Sequence, residues 1–402
     1  MKYQNKKNIL LLGGGYEQLP AILEAKKFGY NVICVDKNIN CVGKKFSNKF
    51  YNISIKDKKK LNKIITKEKI HGVASICSEI AVPIVSYLAN KFNFISLSKN
   101  HSKILTNKYL MKKFFIKNNI KSPIYKLLKK KNNHKKFIHQ EGLPIIIKPI
   151  DSFGQRGIFK IYNFKNLEKK LLETKKNSTN KKILLEKFVD GPEINVVAIV
   201  YNKKITVLSF SDRVVYKKKG FGIAFEHSYP SKIKKEIILK IKKTINEIVK
   251  CLNLDNLVLY PQFIIDKNNQ PNLIEIAGRV PGGFMRELSM LASGIDPVKF
   301  QILIAMKEKN VLNKSKIKLK KKSIFVKFLT SNEINKFSNI VKNNINKAQK
   351  ISGIYKIYLN QLKKIPNLKN SSSRFGAIIS HGKNLDYAKV KAKMALNLII
   401  KK

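Results

Sequence analysis

Short apolar segments alternate with amphipathic ones through the first hundred residues. "NILLLGGG" is an apolar segment that ends in glycines, "YEQLPAILEAKKFGY" has the spacing of a helix, and "NVICVD" is a second apolar segment. "HGVASIC" and the helical pattern "AVPIVSYLANKF" continue the alternation. This strand–helix–strand order is typical of a parallel sheet. We therefore predict an N-terminal doubly wound domain over residues 1–100.

The pattern changes after residue 100. Residues 101–185 combine the helical pattern "TNKYLMKKFFIKNNIKSP", the apolar segment "LPIIIKPI" and the glycine loop "DSFGQRGIFKIY". Residues 186–310 contain a long helical pattern and a hairpin, "LVLYPQFIIDKNNQPNLIEIA". Residues 311–402 begin in a Lys/Asn-rich stretch and end in a strand, a turn and an amphipathic helix. We predict a protein of mixed α/β and α+β class, with two lobes after the N-terminal domain and a small C-terminal α+β segment.

The charge is extreme, at +57 over 402 residues, and raises the alternative of a basic nucleic-acid-binding protein. Only five of the 82 basic residues are arginine, which leaves 77 lysines spread along the chain. Sequence-specific nucleic-acid binding generally uses the planar fork of arginine. We interpret the lysines as compositional drift and expect no specific nucleic-acid partner. Where lysine is the default cation, the retained arginines become informative: Arg156, Arg213, Arg279, Arg286 and Arg374.

Hydropathy and cysteine usage predict a cytoplasmic protein. No apolar run reaches 18 residues, so no membrane span is expected, and the apolar run at residues 9–12 is short for a signal peptide. The four cysteines show no paired spacing. We interpret them as reduced thiols rather than disulfides or zinc ligands.

The hairpin carries the most informative chemistry. Its five-residue loop at 267–271 sets Gln262 roughly opposite Glu275, and alternation along the strand points Glu275, Ala277 and Arg279 to one face. A buried carboxylate is costly unless a cation holds it. Carboxylate and amide oxygens suit Mg²⁺, so we favour a metal held by Gln262 and Glu275. The alternative is an ion pair between Glu275 and a lysine.

The segment around Lys148 has the character of a phosphate site. Lys148 ends the apolar strand "IIIK", which packs its stem and leaves its ammonium group free to bind phosphate. Gly154 and Gly157 permit a loop whose backbone N–H groups approach phosphate closely. The P-loop motif is absent from the sequence, so the phosphate-binding parts are distributed along the chain.

In this order the motifs resemble the ATP-grasp superfamily, and the resemblance spans essentially the whole chain. "TNKYLMKKFF…IKSP", "IIIKPIDSFGQRGI", "LLEKFVDGPE" and "YPQFIID…LIEIAGR" match its entry helix, glycine loop, adenine hinge and metal hairpin. The resemblance implies ATP and Mg²⁺ (or Mn²⁺) as cofactors. It implies nucleotide contacts by Lys108, Lys148, Ser152, Gly154, Gly157, Glu186, Lys187, Val189 and Glu193, the last with the ribose, and metal binding by Gln262 and Glu275.

One position departs from the common family pattern. Many members have Glu-x-Asn-x-Arg, whereas this chain has Ala277 in place of the asparagine. The variant looks more like the carboxylate–amine ligase branch than like carbamoyl phosphate synthetase or biotin carboxylase, although Gln262 resembles those enzymes. The methyl group of Ala277 cannot bind metal, so the sequence is compatible with either one or two bound metal ions. We expect Arg279, with Lys148, to act in catalysis and Arg279 to contact the reacting phosphate or the substrate carboxylate.

Other substrate contacts are predicted near the hairpin. "AFEHSYPS" places Glu226 and His227 where related ligases line the acceptor pocket, with a surface histidine as the alternative. Arg213 is a candidate anchor for the substrate carboxylate. Gly282, Gly283 and Arg286 are expected to wrap the substrate, or else to form a turn into a helix. Arg374 is expected to be structural.

The resemblance implies an ATP-dependent ligase. Its γ-phosphoryl group would pass to a small-molecule carboxylate, and an amine would attack the acyl phosphate to give an amide, ADP and phosphate. The alternative within the family is another acceptor, such as bicarbonate or a purine-pathway intermediate. Dimers are common among similar enzymes, so a homodimer is compatible with the resemblance.

Overall fold

The computed structural model describes residues 6–128, 133–218, 220–309, 311, 322–334, 340–360 and 365–400. The Lys/Asn-rich stretch that follows residue 311 lies almost entirely outside these ranges. No single helix among the described residues is long and apolar enough to cross a membrane. One consecutive helix pair, at 285–293 and 297–305, reaches the length jointly, but it is bent by 99°, and its apolar side chains pack in the protein core.

The N-terminal region is a four-stranded parallel sheet, as predicted. Its strands pair in the order β3-β2-β1-β4. Alternate residues of the first strand pack into two different cores, Ile9 and Leu11 on one face and Leu10 and Leu12 on the other. Helices cover both faces. The elements are β1 (Asn8–Leu12), α1 (Leu19–Lys27), β2 (Asn31–Asp36), α2 (Gly43–Phe46), β3 (Lys49–Asn52), α3 (Lys58–Lys67), β4 (Ile70–Ala74) and α4 (Val82–Phe92).

A smaller antiparallel sheet follows, with its strands in the order β5-β8-β6-β7. The predicted domain boundary at residue 185 falls inside its strand β8. Apolar residues of its central strands and flanking helices form a separate core. The elements are α5 (Lys99–Thr106), α6 (Lys108–Lys117), β5 (Tyr125–Leu128), α7 (Asn133–Glu141), β6 (Ile145–Pro149), β7 (Phe159–Ile161), α8 (Leu167–Lys176) and β8 (Ile183–Lys187).

The rest of the chain builds one eight-stranded sheet, in the order β13-β12-β9-β10-β11-β14-β16-β15. Its last three strands come from the predicted C-terminal α+β segment, which therefore extends this sheet instead of standing apart. The elements are β9 (Glu193–Tyr201), β10 (Lys204–Val215), β11 (Ala224–Tyr229), α9 (Lys235–Cys251), β12 (Leu257–Ile265), β13 (Pro271–Ala277), α10 (Met285–Ser293), α11 (Pro297–Ala305), β14 (Ser323–Leu329), α12 (Lys342–Gln349), β15 (Ile354–Leu359), β16 (Gly376–Gly382) and α13 (Leu385–Ile399).

Both faces of the large sheet are buried at its centre. In β9, Ile194, Val196 and Ala198 pack into one core, while Val197 and Ile199 pack into the core shared with the N-terminal sheet. The first of these cores also receives the apolar stripe of α9, whose isoleucines recur every three to four residues. The double burial fixes the position of β9, which pairs with β12 and so supports the β12–β13 hairpin.

Candidate active site

Two cavities meet between the sheets. The lysine-side cavity, of about 930 Å³, is lined by Ile146, Lys148, Glu186, Val189 and Ile264 among others. The arginine-side cavity, of about 590 Å³, is lined by all five arginines of the chain. Both cavities share a small set of lining residues: Lys108, Gln155, Ile158, Arg213, Gln262 and Glu275.

The metal hairpin predicted from the sequence lies at this junction. Gln262 of β12 pairs directly opposite Glu275 of β13, as expected. Strand β13 ends at Ala277, so Arg279 follows the strand rather than extending it, yet all three residues of the predicted face line the arginine-side cavity. The Lys108 ammonium group holds the Glu275 carboxylate at 3.1 Å and also donates to the Ser152 carbonyl at 2.8 Å.

Burial and charge act in opposite directions on Glu275. Burial alone would raise the pKa of this carboxyl, but the charges of Lys108 and Lys148 lower it below the ordinary value. The carboxylate therefore stays ionised at the junction. The ion pair with a lysine, the alternative drawn from the sequence, is thus present in the structure. Because Lys108 is also predicted to bind phosphate, this pair is compatible with a metal beside Glu275.

The donor set fits Mg²⁺. The Gln262 amide nitrogen donates to Asn195 Oδ1 at 2.9 Å and to the Tyr260 hydroxyl at 3.3 Å, which leaves its oxygen as the atom for a cation. No group of three His, Cys, Asp or Glu residues suited to a metal occurs among the described residues. One carboxylate and one amide oxygen match the habit of Mg²⁺ to take its other ligands from phosphate and water.

A buried carboxylate between two lysines lies beneath the lysine-side cavity. Glu186 contacts Lys148 at 2.7 Å through one oxygen and Lys112 at 3.3 Å through the other. Burial would raise the pKa of Glu186, but the two lysines lower it. Sequence reasoning found Lys148 and Glu186 and missed Lys112. The available signal was its spacing of four residues from Lys108, which places both on one face of α6.

The predicted adenine hinge lines the lysine-side cavity. Lys187, Val189 and Glu193 all contribute to its wall. The Lys187 N–H already donates to the Ile124 carbonyl at 2.8 Å, so a ligand contact at that backbone falls to its own carbonyl oxygen. Glu193 pairs with Arg213 across adjacent strands. Glu193, the predicted ribose contact, and Arg213, the predicted substrate anchor, therefore form an ion pair at the junction.

The glycine loop crosses the junction and contacts the C-terminal region. The Ser371 N–H donates to the Gly154 carbonyl at 2.9 Å, and Arg156 donates to the Ser372 hydroxyl at 3.0 Å. Gly154 has a φ of 67°, which favours glycine. A Cβ at Gly157 would lie 2.7 Å from Asn177, which follows α8, and Gly157 does not line either cavity, so the phosphate contact at this residue stays a prediction.

Three of the arginines are neutralised by carboxylates. Arg279 pairs with the buried Glu79 of the N-terminal region, and Arg213 pairs with Glu193. Arg286 binds Asp296, with one contact at 3.0 Å, and also Glu24 at 3.2 Å. These pairs fix the guanidinium groups in the cavity wall and make Arg279 the link between the hairpin and the N-terminal sheet.

Arg374 differs from them. Within the described part of the chain it has no carboxylate at ion-pair distance. It donates to the Ser371 carbonyl at 3.0 Å, and its guanidinium carbon lies 4.1 Å from the centre of the Phe328 ring. Burial lowers the pKa of Arg374 to about 10, so it remains charged at neutral pH. Arg374, which was expected to be structural, thus also presents a cation without an ion-pair partner among the described residues to the cavity.

His227 and Glu226, two further predicted substrate contacts, line different cavities. His227 lines the arginine-side cavity and is buried, not superficial; burial and the charges of Arg213 and Arg374 hold its pKa well below the ordinary value. Glu226 lies on the other side, where it lines the lysine-side cavity and pairs with Lys327 at 3.2 Å. Successive residues of a strand face opposite ways, which explains the separation.

The glycine pair before α10 packs against the N-terminal region. The Gly283 N–H donates to Glu17 at 2.8 Å, and a Cβ at Gly282 would lie 2.8 Å from the same carboxylate. Both glycines line the arginine-side cavity. They therefore form a turn that also shapes the pocket, which combines the two alternatives drawn from the sequence. Glu17, like Glu79, was missed because it lies in a different segment of the chain.

An aromatic wall completes the arginine-side cavity. Phe284 and Tyr358 lie with ring centres 4.6 Å apart, and Tyr16 and Phe328 extend the wall at 6.3 and 6.0 Å. These rings come from four separated segments. The cavity therefore combines fixed cations with flat apolar surface, which suits a small anionic molecule with an apolar or ring-shaped part.

Comparison with known proteins agrees with this geometry. Residues 141–287 match the family model described as an ATP-grasp domain. The chain is 24% identical over 278 residues to the formate-dependent phosphoribosylglycinamide formyltransferase of Wolinella succinogenes, covering 68% of this chain and 70% of that protein. The family-model match at residues 141–287 includes the glycine loop, the hinge and the metal hairpin.

Two solved structures share the whole fold. A phosphoribosylglycinamide synthetase from Anaerococcus prevotii superposes with a TM-score of 0.78 at 23% identity, covering 99% of this chain and 100% of that one. An L-amino acid ligase from Bacillus licheniformis superposes with a TM-score of 0.81 at 16% identity, covering 99% of each chain. The chain therefore contains a match to the ATP-grasp domain at residues 141–287, and it shares the overall fold of both solved enzymes.

Proposed function

We propose that the protein is an ATP-dependent ligase that activates a small carboxylate as an acyl phosphate and joins it to an amine, with ADP and phosphate as products. One observation carries the proposal. Gln262, Glu275 and Lys108 lie where the lysine-side and arginine-side cavities meet. A phosphoryl group held by these residues would reach molecules on both sides.

The lysine-side cavity is proposed to bind ATP. Lys148 and Lys108 would bind the phosphates, while the hinge at residues 186–189 would hold the adenine and Glu193 the ribose. Bound Mg²⁺ would supply neutralisation of phosphate oxygens and would be held by Glu275 and Gln262. Fixed positive charge around the transferring group accounts for most of the catalysis expected of such sites.

The arginine-side cavity is proposed to bind the substrates. Arg279 is fixed by Glu79 and lies two residues beyond the end of the metal strand, which suits contact with the transferring phosphate or the attacked carboxylate. Arg374 replaces Arg213 as the proposed substrate anchor, because Arg213 is already paired with Glu193. The glycine loop, docked on residues 371–372, would exclude water from the acyl phosphate.

A second candidate substrate pair is favoured by the cation at Arg374. Arginine binds carboxylate and phosphate equally well through its planar fork. The relative from Wolinella succinogenes is named as formate-dependent and as acting on phosphoribosylglycinamide. A one-carbon carboxylate with a phosphorylated amine is therefore the alternative to an amino-acid pair. Ala277 continues to argue against bicarbonate-activating relatives.

The proposal also includes the setting of the enzyme. The described cysteines are free thiols, which agrees with a cytoplasmic enzyme. Small molecules are the proposed partners, and a homodimer is compatible with the proposal.

Substrate-dependent phosphate release tests the proposal. The purified protein with Mg-ATP is screened against amino acids, singly and in pairs, and against formate with a phosphorylated amine. We expect phosphate and ADP to appear in equal amounts with one substrate class and to disappear in the Glu275→Gln variant. Phosphate release that no substrate stimulates and that survives Glu275→Gln would overturn the proposal.

A further inference from the structure

Lys112 is an anomaly among the lysines of this chain. Only 1% of its surface is exposed, although most of the other lysines lie in solvent. Its ammonium nitrogen lies 3.3 Å from Glu186 Oε1, but neither atom has a hydrogen bond of good geometry among the described residues. A buried ammonium group without hydrogen bonds is costly and requires an explanation.

The position of Lys112 relative to the cavity supplies one. Lys148 and Glu186 line the lysine-side cavity, whereas Lys112 does not and lies behind the carboxylate. Glu186 is thus held from two sides, by Lys148 at 2.7 Å on the cavity side and by Lys112 at 3.3 Å from α6. Burial lowers the pKa of Lys112 to about 8 in this arrangement, and the carboxylate opposes that effect.

Lys148 cannot serve Glu186 and a nucleotide phosphate equally. Its ammonium group lies at the cavity wall, where the 2.7 Å contact with Glu186 opposes a turn toward a phosphate. If Lys148 turned toward a phosphate with no other cation nearby, Glu186 would be left as an unpaired buried charge. Removal of one partner from a buried ion pair is strongly unfavourable.

We propose that Lys112 is a positioning residue that acts as the permanent counter-charge of Glu186 and so releases Lys148 to bind the phosphates of the nucleotide. The inference rests on the proposed ATP site. Lys112 acts through Glu186 and Lys148 and does not itself touch the nucleotide. The imperfect geometry of its contact with Glu186 leaves room for a shorter contact once Lys148 has turned away.

The primary test compares Lys112→Met with Lys113→Met. Both remove a lysine from α6, but Lys113 is exposed and serves as the control. In Lys112→Met without nucleotide, Lys148 still neutralises Glu186, so we expect the melting temperature to be unchanged or raised. The Mg-ATP dissociation constant measured by calorimetry should rise about tenfold or more, while kcat at saturating ATP changes little. Lys113→Met should match the wild type in each measurement.

A double-mutant cycle distinguishes this role from a merely structural one. In the Glu186→Gln background no buried carboxylate needs a counter-charge, so adding Lys112→Met should no longer weaken Mg-ATP binding. If Lys112→Met alone fails to fold, Lys112→Gln takes its place in both backgrounds. Unchanged Mg-ATP affinity in Lys112→Met, or an equal loss in the presence and absence of Glu186, would overturn the inference. A wild type that binds no Mg-ATP would instead overturn the proposed ATP site itself.

Discussion

The two cavities use different cations for different tasks. On the lysine side, Lys148 and Lys112 both contact the buried carboxylate of Glu186. Glu186 can therefore keep one lysine partner when the other turns away. On the arginine side, Arg279, Arg286 and Arg213 are each held by their own carboxylates and stay fixed. Flexible point charges suit a nucleotide that binds and leaves in every cycle, whereas planar guanidinium groups suit the orientation of a substrate.

The same contrast explains the arginine content of the chain. Lysine serves as the general cation at 77 positions, yet all five arginines line one cavity. A lysine at position 286 would lose the contact of two guanidinium nitrogens with Asp296. Lysine therefore supplies charge throughout the chain, whereas the planar cations are concentrated at one cavity.

The largest expected effect lies on the lysine side and at the junction. Lys148→Met and Glu275→Gln should each lower substrate-dependent phosphate release by about 10³-fold, because each removes charge aligned with the transferring group. Circular dichroism should show that both variants remain folded. Normal turnover in Lys148→Met, or outright unfolding of Glu275→Gln, would remove that residue from the proposed chemistry.

Nucleotide preference gives the next largest effect. We expect Mg-ATP to stabilise the protein by about 2.7 kcal/mol at 100 times its dissociation constant, and Mg-GTP much less. The backbone at Lys187 and Val189 offers the hydrogen-bond pattern expected for adenine. Thermal unfolding with each nucleotide measures this, and equal shifts would argue against the hinge assignment.

On the arginine side, Arg374→Lys separates substrate binding from nucleotide binding. The charge remains but the planar fork is lost, so the KM for the anionic substrate should rise about tenfold while the Mg-ATP dissociation constant stays the same. The wild type, measured in parallel, supplies the reference for both constants. An equal loss of ATP affinity in Arg374→Lys would show that the two cavities do not divide the ligands as proposed.

The smallest effect concerns pH. His227 has a pKa well below its ordinary value of about 6.5, mainly because it is buried. The unfolded chain therefore binds a proton that the folded protein rejects, and stability is lost as pH falls below 6.5. We expect His227 to contribute a loss of about 1 kcal/mol by roughly pH 5.5. Urea unfolding at both pH values should show less acid sensitivity in His227→Gln; equal sensitivity would place the titration elsewhere.

The nucleotide half of the site was predictable because its parts are contiguous in sequence. Lys148, the glycine loop and the hinge at residue 186 lie within forty residues, and the pairing of Gln262 with Glu275 followed from the length of one hairpin. Lys112 was not predicted, because the sequence of a helix does not show which buried carboxylate its side chains contact. The parallel N-terminal sheet was equally readable from its alternating segments.

The substrate half was not predictable in the same way. Glu17, Glu79, Tyr358 and Arg374 approach one another only because the N-terminal sheet and the last strands of the large sheet meet at one cavity. From the sequence, Arg213 was predicted to anchor the substrate carboxylate and Arg374 to be structural. The sequence could not show that Glu193 already pairs with Arg213. The union of β14–β16 with the large sheet is a long-range pairing that local patterns do not specify.

Trapping the activated intermediate tests the central claim most directly. The protein is incubated with Mg-ATP and the carboxylate identified by the phosphate-release screen, with hydroxylamine in place of the amine. If the junction at Glu275 and Gln262 transfers the γ-phosphoryl group, the products will be a hydroxamate, ADP and phosphate in equal amounts. Formation of AMP and pyrophosphate would mean that the carboxylate is activated as an adenylate, and it would contradict the proposed mechanism.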